Sequence, residues 1–118
     1  MNEMSRSSKD TGSNWLREVR RIYLSESSGK LAEVERAILG LEANPTSTVY
    51  ERRLRHLLHN LIGSGASYGF PAITETARNM STCLRSIRDE QASISTDAIT
   101  KLREHLEHLR GIFGEARP

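Results

Sequence analysis

The sequence predicts an all-α protein, an antiparallel up-down bundle of four helices with or without a short extra N-terminal helix. Apolar residues recur at intervals of three and four from Trp15 onward, which is the period of amphipathic helices. No window alternates between apolar and polar residues long enough to make a strand, and short segments rich in Gly, Pro or Ser separate the periodic stretches. A chain of 118 residues is long enough for one domain with a single core.

The N-terminal part of the chain divides into a polar tail and two amphipathic segments. Residues 1–13 carry Ser and Gly without periodicity, so we predict a disordered tail followed by a helical domain over residues 14–118. Gly29 either breaks the helical region in two or lies within one long helix, and the pattern leaves both open. Asn44 and Pro45 end this region, because proline cannot continue a helix. The two apolar stripes consist of Trp15, Leu16, Val19, Ile22 and Tyr23, and of Leu31, Val34, Ile38 and Leu41.

Three further helices follow, each with its own start signal. The first begins between Thr46 and Thr48. Pro71 suits the first position of the second helix, where a missing N–H costs nothing. Ser95 or Thr96 caps the third through its hydroxyl oxygen. The expected apolar faces of these helices are Leu54, Leu57, Leu58 and Leu61; Ile73, Ala77, Met80, Leu84 and Ile87; and Ile99, Leu102, Leu106, Leu109 and Phe113.

Composition excludes several classes of function. The chain has 17 Lys and Arg against 15 Asp and Glu, and a net charge of +2 is too small for a nucleic-acid binder. The single cysteine, Cys83, excludes internal disulfides and a cysteine-based zinc site. No apolar run approaches the ~20 residues that span a bilayer, and the polar N-terminus is unlike a signal peptide. No phosphate-binding loop of a kinase or NTPase is present. We therefore expect a reducing, cytoplasmic setting, with neither a membrane nor a nucleic acid as partner.

The segment over residues 50–71 places a histidine opposite the core. On a helical wheel at about 100° per residue, Leu54, Leu58 and Leu61 fall within about 60° of one another and face the interior. His59 falls on the far side and should be exposed. The residues that share this outer side are Arg52, Arg55, His56, Gly63 and Ala66.

Two glycines follow His59 inside the same helical segment. Gly63 and Gly65 each cost about 1 kcal/mol relative to alanine within a helix, so their presence needs a reason. One explanation is that the helix frays toward Gly69 and Pro71. The other is that a bare helix surface beside His59 lets the backbone of another protein approach. The sequence alone leaves both open.

The run His59, Asn60, Leu61, Ile62, Gly63, Ser64, Gly65, Ala66, Ser67, Tyr68, Gly69, Phe70 resembles the signature of histidine phosphotransfer (HPt) domains. In that family the pattern is His-x-Leu-Lys-Gly-Ser, then small residues, then an aromatic-Gly or Leu-Gly pair. The motif extends to about Met80, and the family's four-helix architecture covers the chain in outline from Trp15 to Phe113.

The resemblance implies a phosphocarrier of bacterial-type two-component phosphorelays, with His59 as the phosphoacceptor. Such a domain takes a phosphoryl group from the aspartate of a receiver domain, in a response regulator or a hybrid histidine kinase, and passes it to another receiver. It binds no ATP and no cofactor, because the receiver supplies Mg²⁺ and the catalytic groups. We therefore expect a non-enzyme and a monomer. Gly63 and Ala66 would clear the approach to His59, Leu57 and Ile62 would be rim contacts, and the charged surround would be Arg52, Arg55, His56 and Arg78.

Two positions depart from the family pattern. The family commonly has a lysine where this chain has Ile62, and many members have an acidic residue at the position of Ser81. Positive charge near the phosphoryl group would therefore come from Arg55 or Arg78, and no residue evidently fixes the tautomer of His59. Ile62 would instead be an apolar contact for the partner.

Two other classes of function compete with phosphotransfer. The pairs His56/His59 and His105/His108 have the i, i+3 spacing of metal ligands, but none has the Glu-x-x-His pattern of a bundle metal site, so we expect no metal. An HPt-like helical adaptor that binds and regulates a partner without phosphotransfer remains the main alternative. The two hypotheses make different predictions for a substitution of His59, because an adaptor tolerates glutamine there and a phosphocarrier does not.

Overall fold

Five helices make up the fold of the computed structural model, which describes the backbone of residues 2–90 and 93–118 and the side chains of residues 14–85 and 93–118. In chain order they are α1 (Asn2–Ser25), α2 (Ser27–Ala43), α3 (Thr48–Tyr68), α4 (Pro71–Glu90) and α5 (Thr96–Glu115). The described backbone contains no strand. The predicted all-α fold class is confirmed.

Helices α2 to α5 form the bundle. α2 packs against α3 and α5, and α4 packs against the same two helices, so each helix has two neighbours in a closed ring. The short links make consecutive helices antiparallel. The apolar faces predicted for these four helices are buried, except that Leu57 is half-buried and the side chain of Ile87 lies outside the described residues. The most deeply buried side chains of the core are Val34, Ile38, Leu41, Leu54, Leu58, Ile73, Met80, Leu84, Leu102 and Leu109.

Three predicted helix boundaries are confirmed, each for a local reason. α2 ends before Asn44 and Pro45. The Ser47 hydroxyl accepts a hydrogen bond from the Tyr50 N–H (3.2 Å) at the start of α3. The Ser95 hydroxyl accepts one from the Ala98 N–H (3.0 Å) at the start of α5. Each side chain satisfies a backbone donor that the first turn leaves without an intrahelical partner.

The end of α3 is a tight glycine turn rather than a frayed helix. α3 is helical through Tyr68, and Gly69 takes the left-handed conformation (φ 81°) that glycine adopts without a steric penalty. The Phe70 N–H then donates to the Gly65 carbonyl (2.7 Å), the bond that closes a Schellman turn. The explanation that the helix frays from Gly63 is therefore wrong.

The N-terminal helix differs from the expected short piece. α1 spans 24 residues and is separated from α2 by a break at Glu26, three positions before Gly29. Gly29 itself lies inside α2, so both alternatives are wrong as stated: the region is broken in two, but at Glu26 and not at Gly29. The backbone of α1 runs back to Asn2, through the residues expected to form a disordered tail, but their side chains lie outside the described residues. The domain boundary at residue 14 stays a prediction.

The apolar stripe of α1 is mostly exposed, because among the described side chains of this helix those of the last turns contact the bundle. Tyr23 is buried and Leu24 packs against the core, whereas Trp15 is 66% exposed and Ile22 46% exposed. Among the described helices, none combines the length and apolarity needed to cross a bilayer.

Candidate functional site

His59 lies near the middle of α3 with its side chain exposed to solvent. The opposite face of the helix is fixed by Leu58 (0% exposed) and Leu61 (3% exposed), so the helix cannot rotate to bury the histidine without exposing these leucines. The imidazole makes no hydrogen bond or ion pair with any other described residue. Both ring nitrogens therefore have no partner among the described residues, and the predicted exposure of His59 is confirmed.

Gly63 lies one turn after His59, on the same exposed face. A Cβ atom added at Gly63 would meet none of the described atoms within 4 Å, so packing within the described part of the molecule does not require glycine there. A Cβ added at Gly65 would instead lie 2.5 Å from Thr74 Oγ1 and 3.0 Å from the Thr74 nitrogen. Gly65 is thus a packing residue between α3 and α4, and Gly63 is not.

Ala66 continues the exposed face of small residues and borders a hollow between α3 and α4. The hollow also contains Arg78, whose guanidinium makes no ion pair within the described part of the chain. A free cation therefore lies on the α4 side of the site. The full lining is Ala66, Gly69, Pro71, Thr74, Glu75 and Arg78.

A groove between α2 and α3 lies on the other side of His59. Its polar residues include Asn60, whose amide nitrogen is 3.4 Å from His56 Nε2. Arg53 reaches Glu33 across the groove (3.7 Å), whereas the Arg52 guanidinium has no ion pair with a described residue. The residues that line the groove are Lys30, Glu33, Val34, Arg52, Arg53, His56, Leu57, Asn60, Leu61 and Ser64.

Arg55 does not reach toward His59 as a free cation. Its guanidinium pairs with Glu51 (2.8 Å) and also donates a hydrogen bond to the Leu84 carbonyl oxygen of α4 (2.8 Å). The side chain is only 28% exposed. Arg55 therefore joins α3 to α4, and the cations without such pairing near the site are Arg52 and Arg78.

Leu57 and Ile62 are both half-buried and pack against the core, so each offers a partner only part of its side chain. The Ile62 carbonyl oxygen also accepts a hydrogen bond from Thr74 Oγ1 (2.8 Å). The backbone of residue 62 therefore contributes to the contact between α3 and α4. Ser81 is half-buried on α4 and has no hydrogen bond with His59.

Two residues of α1 contact α3 near the site, although the sequence analysis did not assign them to it. The Tyr23 hydroxyl shares a hydrogen bond with Ser64 Oγ (2.8 Å), and Arg20 Nε donates to the Tyr68 carbonyl oxygen (2.8 Å). No sequence signal pairs Tyr23 with a residue 41 positions away. Across the residues that the structure describes, no three His, Cys, Asp or Glu side chains form a group suited to a metal ion.

A bundle of four helices that presents an exposed, unpartnered histidine in mid-helix, beside a bare glycine surface, has the features of a histidine phosphotransfer module. A scan of family models matches residues 18–112 to the Hpt domain. The chain therefore belongs to the Hpt domain family, as the resemblance of the His59 motif predicted. No curated protein and no solved structure gave a match.

Membership supports a role in histidine phosphotransfer in general. Hpt domains are phosphocarriers rather than catalysts, and they interact with receiver domains in phosphorelays.

Proposed function

We propose that His59 carries a phosphoryl group between the aspartates of two receiver domains. In the loading step, the lone pair of an unprotonated imidazole nitrogen attacks phosphorus and forms an N–P bond. The P–O bond to the aspartyl phosphate breaks, and the aspartate leaves as a carboxylate. The second receiver's aspartate reverses these changes, so the chain returns to its starting state.

The observation that carries this proposal is the combination of an unpartnered His59 with an empty surface at Gly63. Glycine inside a helix costs about 1 kcal/mol, and no contact with the residues that the structure describes requires one at this position. The remaining physical reason for a glycine at position 63 is a partner that must approach this surface closely. In-line phosphoryl transfer requires such an approach, since it depends on close positioning of donor and acceptor.

The charged surround supports the same proposal through Arg52 and Arg78. Both lie next to the exposed face of α3, and neither guanidinium is paired with a described side chain. Positive charge there favours approach of the acidic pocket of a receiver and of its phosphoryl group. We assign a smaller part to Arg55, because its charge is already compensated by Glu51.

The chain's own part in the chemistry is positioning. We propose that the divalent metal and the groups that activate the aspartyl phosphate belong to the receiver, and that this chain binds no cofactor of its own. His59 then supplies only the nucleophile, held on a helix whose far side is fixed by the core.

The test is transfer from a ³²P-labelled receiver domain to the native chain, to His59→Gln and to His108→Gln. His108 is also an exposed histidine on the outer face of a helix, so it controls for the loss of a surface imidazole. We expect full labelling of the native chain and of His108→Gln, and none of His59→Gln.

Equal labelling of His59→Gln would contradict the proposal. If several receivers bind the native chain and His59→Gln equally without labelling either, the adaptor alternative holds instead. The labelled product should be labile in acid and stable in base, as a phosphoramidate is and an acyl phosphate is not.

A further inference from the structure

The second half of α3 contains residues that do not sustain a helix by themselves. We call residues 63–68 the glycine segment; it holds Gly63 and Gly65, with Ser64 between them. Glycine and serine both favour non-helical backbone over helix, and the segment also forms the last turns of α3, where intrahelical hydrogen bonds run out. The structure nevertheless keeps the segment helical through Tyr68.

The last two turns of α1 contact the glycine segment at both of its ends. Tyr23 reaches Ser64 through the shared hydrogen bond of 2.8 Å, and its ring stacks on Tyr68 with 4.7 Å between centroids. Arg20 Nε donates to the carbonyl oxygen of Tyr68, the last residue of α3, which has no intrahelical donor. Tyr23 itself is 4% exposed.

Further contacts hold Tyr23 in place. Its ring also stacks on Phe70 and lies tilted against Phe113, both at 5.9 Å between centroids, and Lys30 Nζ lies 4.2 Å from the ring centroid. Ser64 Oγ lies 3.5 Å from the Leu61 carbonyl oxygen, so the serine can donate there while it accepts from Tyr23. The hydrogen bond therefore joins two groups that are each already oriented.

We propose that Tyr23 and Arg20 are positioning residues for phosphotransfer, which hold the glycine segment helical so that the bare surface beside His59 is formed before a partner docks. This inference rests on the proposed function of His59. Docking of the partner requires a residue as small as glycine at position 63. Because glycine destabilises a helix, the contacts of α1 with the buried side of the segment offset this loss of helix stability.

The effect belongs to docking rather than to the chemical step. A glycine segment that opens in the free protein must be ordered when the receiver binds, and that cost weakens binding. Once the complex has formed, His59 is positioned as in the native chain. Loss of the Tyr23 contact should therefore raise KM for the phosphorylated receiver and leave kcat almost unchanged.

The experiment combines amide hydrogen exchange with transfer kinetics on the full chain. The variants are Tyr23→Phe, which keeps the ring, Ser64→Ala, and the two together. Ser67→Ala is the matched control for helix propensity, because Ser67 is exposed in the same segment and makes no hydrogen bond with another described residue. Tyr50→Phe controls for the loss of a phenolic hydroxyl elsewhere.

In the native background we expect Tyr23→Phe to speed exchange at residues 63–69 by about fivefold, with α5 unchanged, and to raise KM by a similar factor. In the Ser64→Ala background, Tyr23→Phe should have no further effect, because the hydrogen bond is already absent.

Three results would overturn the inference. One is an unchanged exchange rate at residues 63–69 in Tyr23→Phe, and another is an equal rise throughout the bundle, which would indicate a general structural role. The third is a fall in kcat with KM unchanged. If the native chain accepts no phosphoryl group, the proposed function fails by itself, and the exchange measurement still decides whether Tyr23 holds the segment.

Discussion

Gly63 and Gly65 lie two residues apart on α3, yet their surroundings are opposite. At Gly65 a Cβ would collide with the side chain and backbone of Thr74, so this glycine allows α3 and α4 to pack closely. At Gly63 a Cβ would meet no atom of the described residues within 4 Å. The inner face of α3 is shaped by packing within the bundle, and we propose that its outer face is shaped by a partner protein.

The cations of α3 repeat this division. Arg55 joins α3 to the Leu84 carbonyl of α4 and pairs with Glu51, whereas Arg52 has no ion pair with a described residue. The residue type alone therefore does not indicate whether an arginine of this helix stabilises the bundle or is available to a partner. Its contacts within the molecule do, and each pair of like residues offers a matched experiment.

The largest effect is expected when the bare outer surface is filled. Gly63→Trp should lower kcat/KM for transfer from a phosphorylated receiver by at least about 100-fold, or about 2.7 kcal/mol, because the indole occupies the space of the partner's backbone. The free energy of unfolding should not fall, since the position is open. Stopped-flow transfer and urea denaturation measure the two quantities. Normal transfer by this variant would contradict the claim that the partner's backbone approaches the surface at Gly63.

The inner surface should respond in stability instead. Gly65→Ala should lower the free energy of unfolding by about 1–3 kcal/mol, because the added methyl is forced against Thr74. Gly63→Ala should raise it by up to about 1 kcal/mol, because alanine favours the helix. Chemical denaturation of the two variants side by side is the measurement. Equal changes of the same sign would contradict the division into two faces.

The arginine pair gives a smaller contrast. Arg52→Ala should raise KM for the receiver about threefold to tenfold at low salt, with the difference shrinking as salt screens the charge. Arg55→Ala should act mainly on stability, lowering the free energy of unfolding by about 1–2 kcal/mol through loss of its hydrogen bond to Leu84. Salt titrations of KM separate the two. An Arg52→Ala variant with native KM at every salt concentration would show that Arg52 is outside the docking surface.

The smallest expected effect is a decrease in the free energy of unfolding at alkaline pH, caused by the buried phenol of Tyr23. Burial raises the pKa of Tyr23 above its ordinary value of 10.0, against a smaller lowering by the Ser64 hydrogen bond. Above about pH 10 the unfolded chain therefore loses this phenolic proton first, and the free energy of unfolding decreases as pH rises.

Tyr23→Phe should remove that part of the decrease in thermal melts between pH 9 and pH 11. Tyr50→Phe is the matched control for the loss of a more exposed phenolic hydroxyl, since Tyr50 is 40% exposed. The same slope in Tyr23→Phe and the native chain would show that the Tyr23 phenol does not contribute.

Much of the fold follows from local patterns, and those parts were predictable. The stripes of α2 to α5, the stop at Pro45 and the caps at Ser47 and Ser95 depend on neighbours within one turn, which the sequence displays directly. The break at Glu26 was not predictable in the same way, because Gly29 is the more obvious breaker and yet lies within α2. Tertiary packing of Tyr23 decides how α1 meets the bundle, and propensity does not.

The parts of the site that depend on the local helical pattern were predictable, and those that depend on tertiary contacts were not. The helical wheel places His59 and Gly63 outward. It also indicates that Gly65 shares the buried face, because Gly65 follows Leu61 by four residues. The pairing of Arg55 with Leu84 and of Tyr23 with Ser64 joins residues 29 and 41 positions apart. Such contacts depend on how the helices dock, which no local pattern records.

The central claim is that the phosphoryl group resides on His59. The most direct measurement is to load the native chain from a phosphorylated receiver, digest it under mildly alkaline conditions that preserve phosphoramidates, and locate the added mass by fragmentation of the peptides. Phosphate found on the His59 imidazole, and on neither His56 nor His108, is the result the account predicts. Phosphate on another residue, or a receiver that binds tightly and transfers nothing, would contradict it.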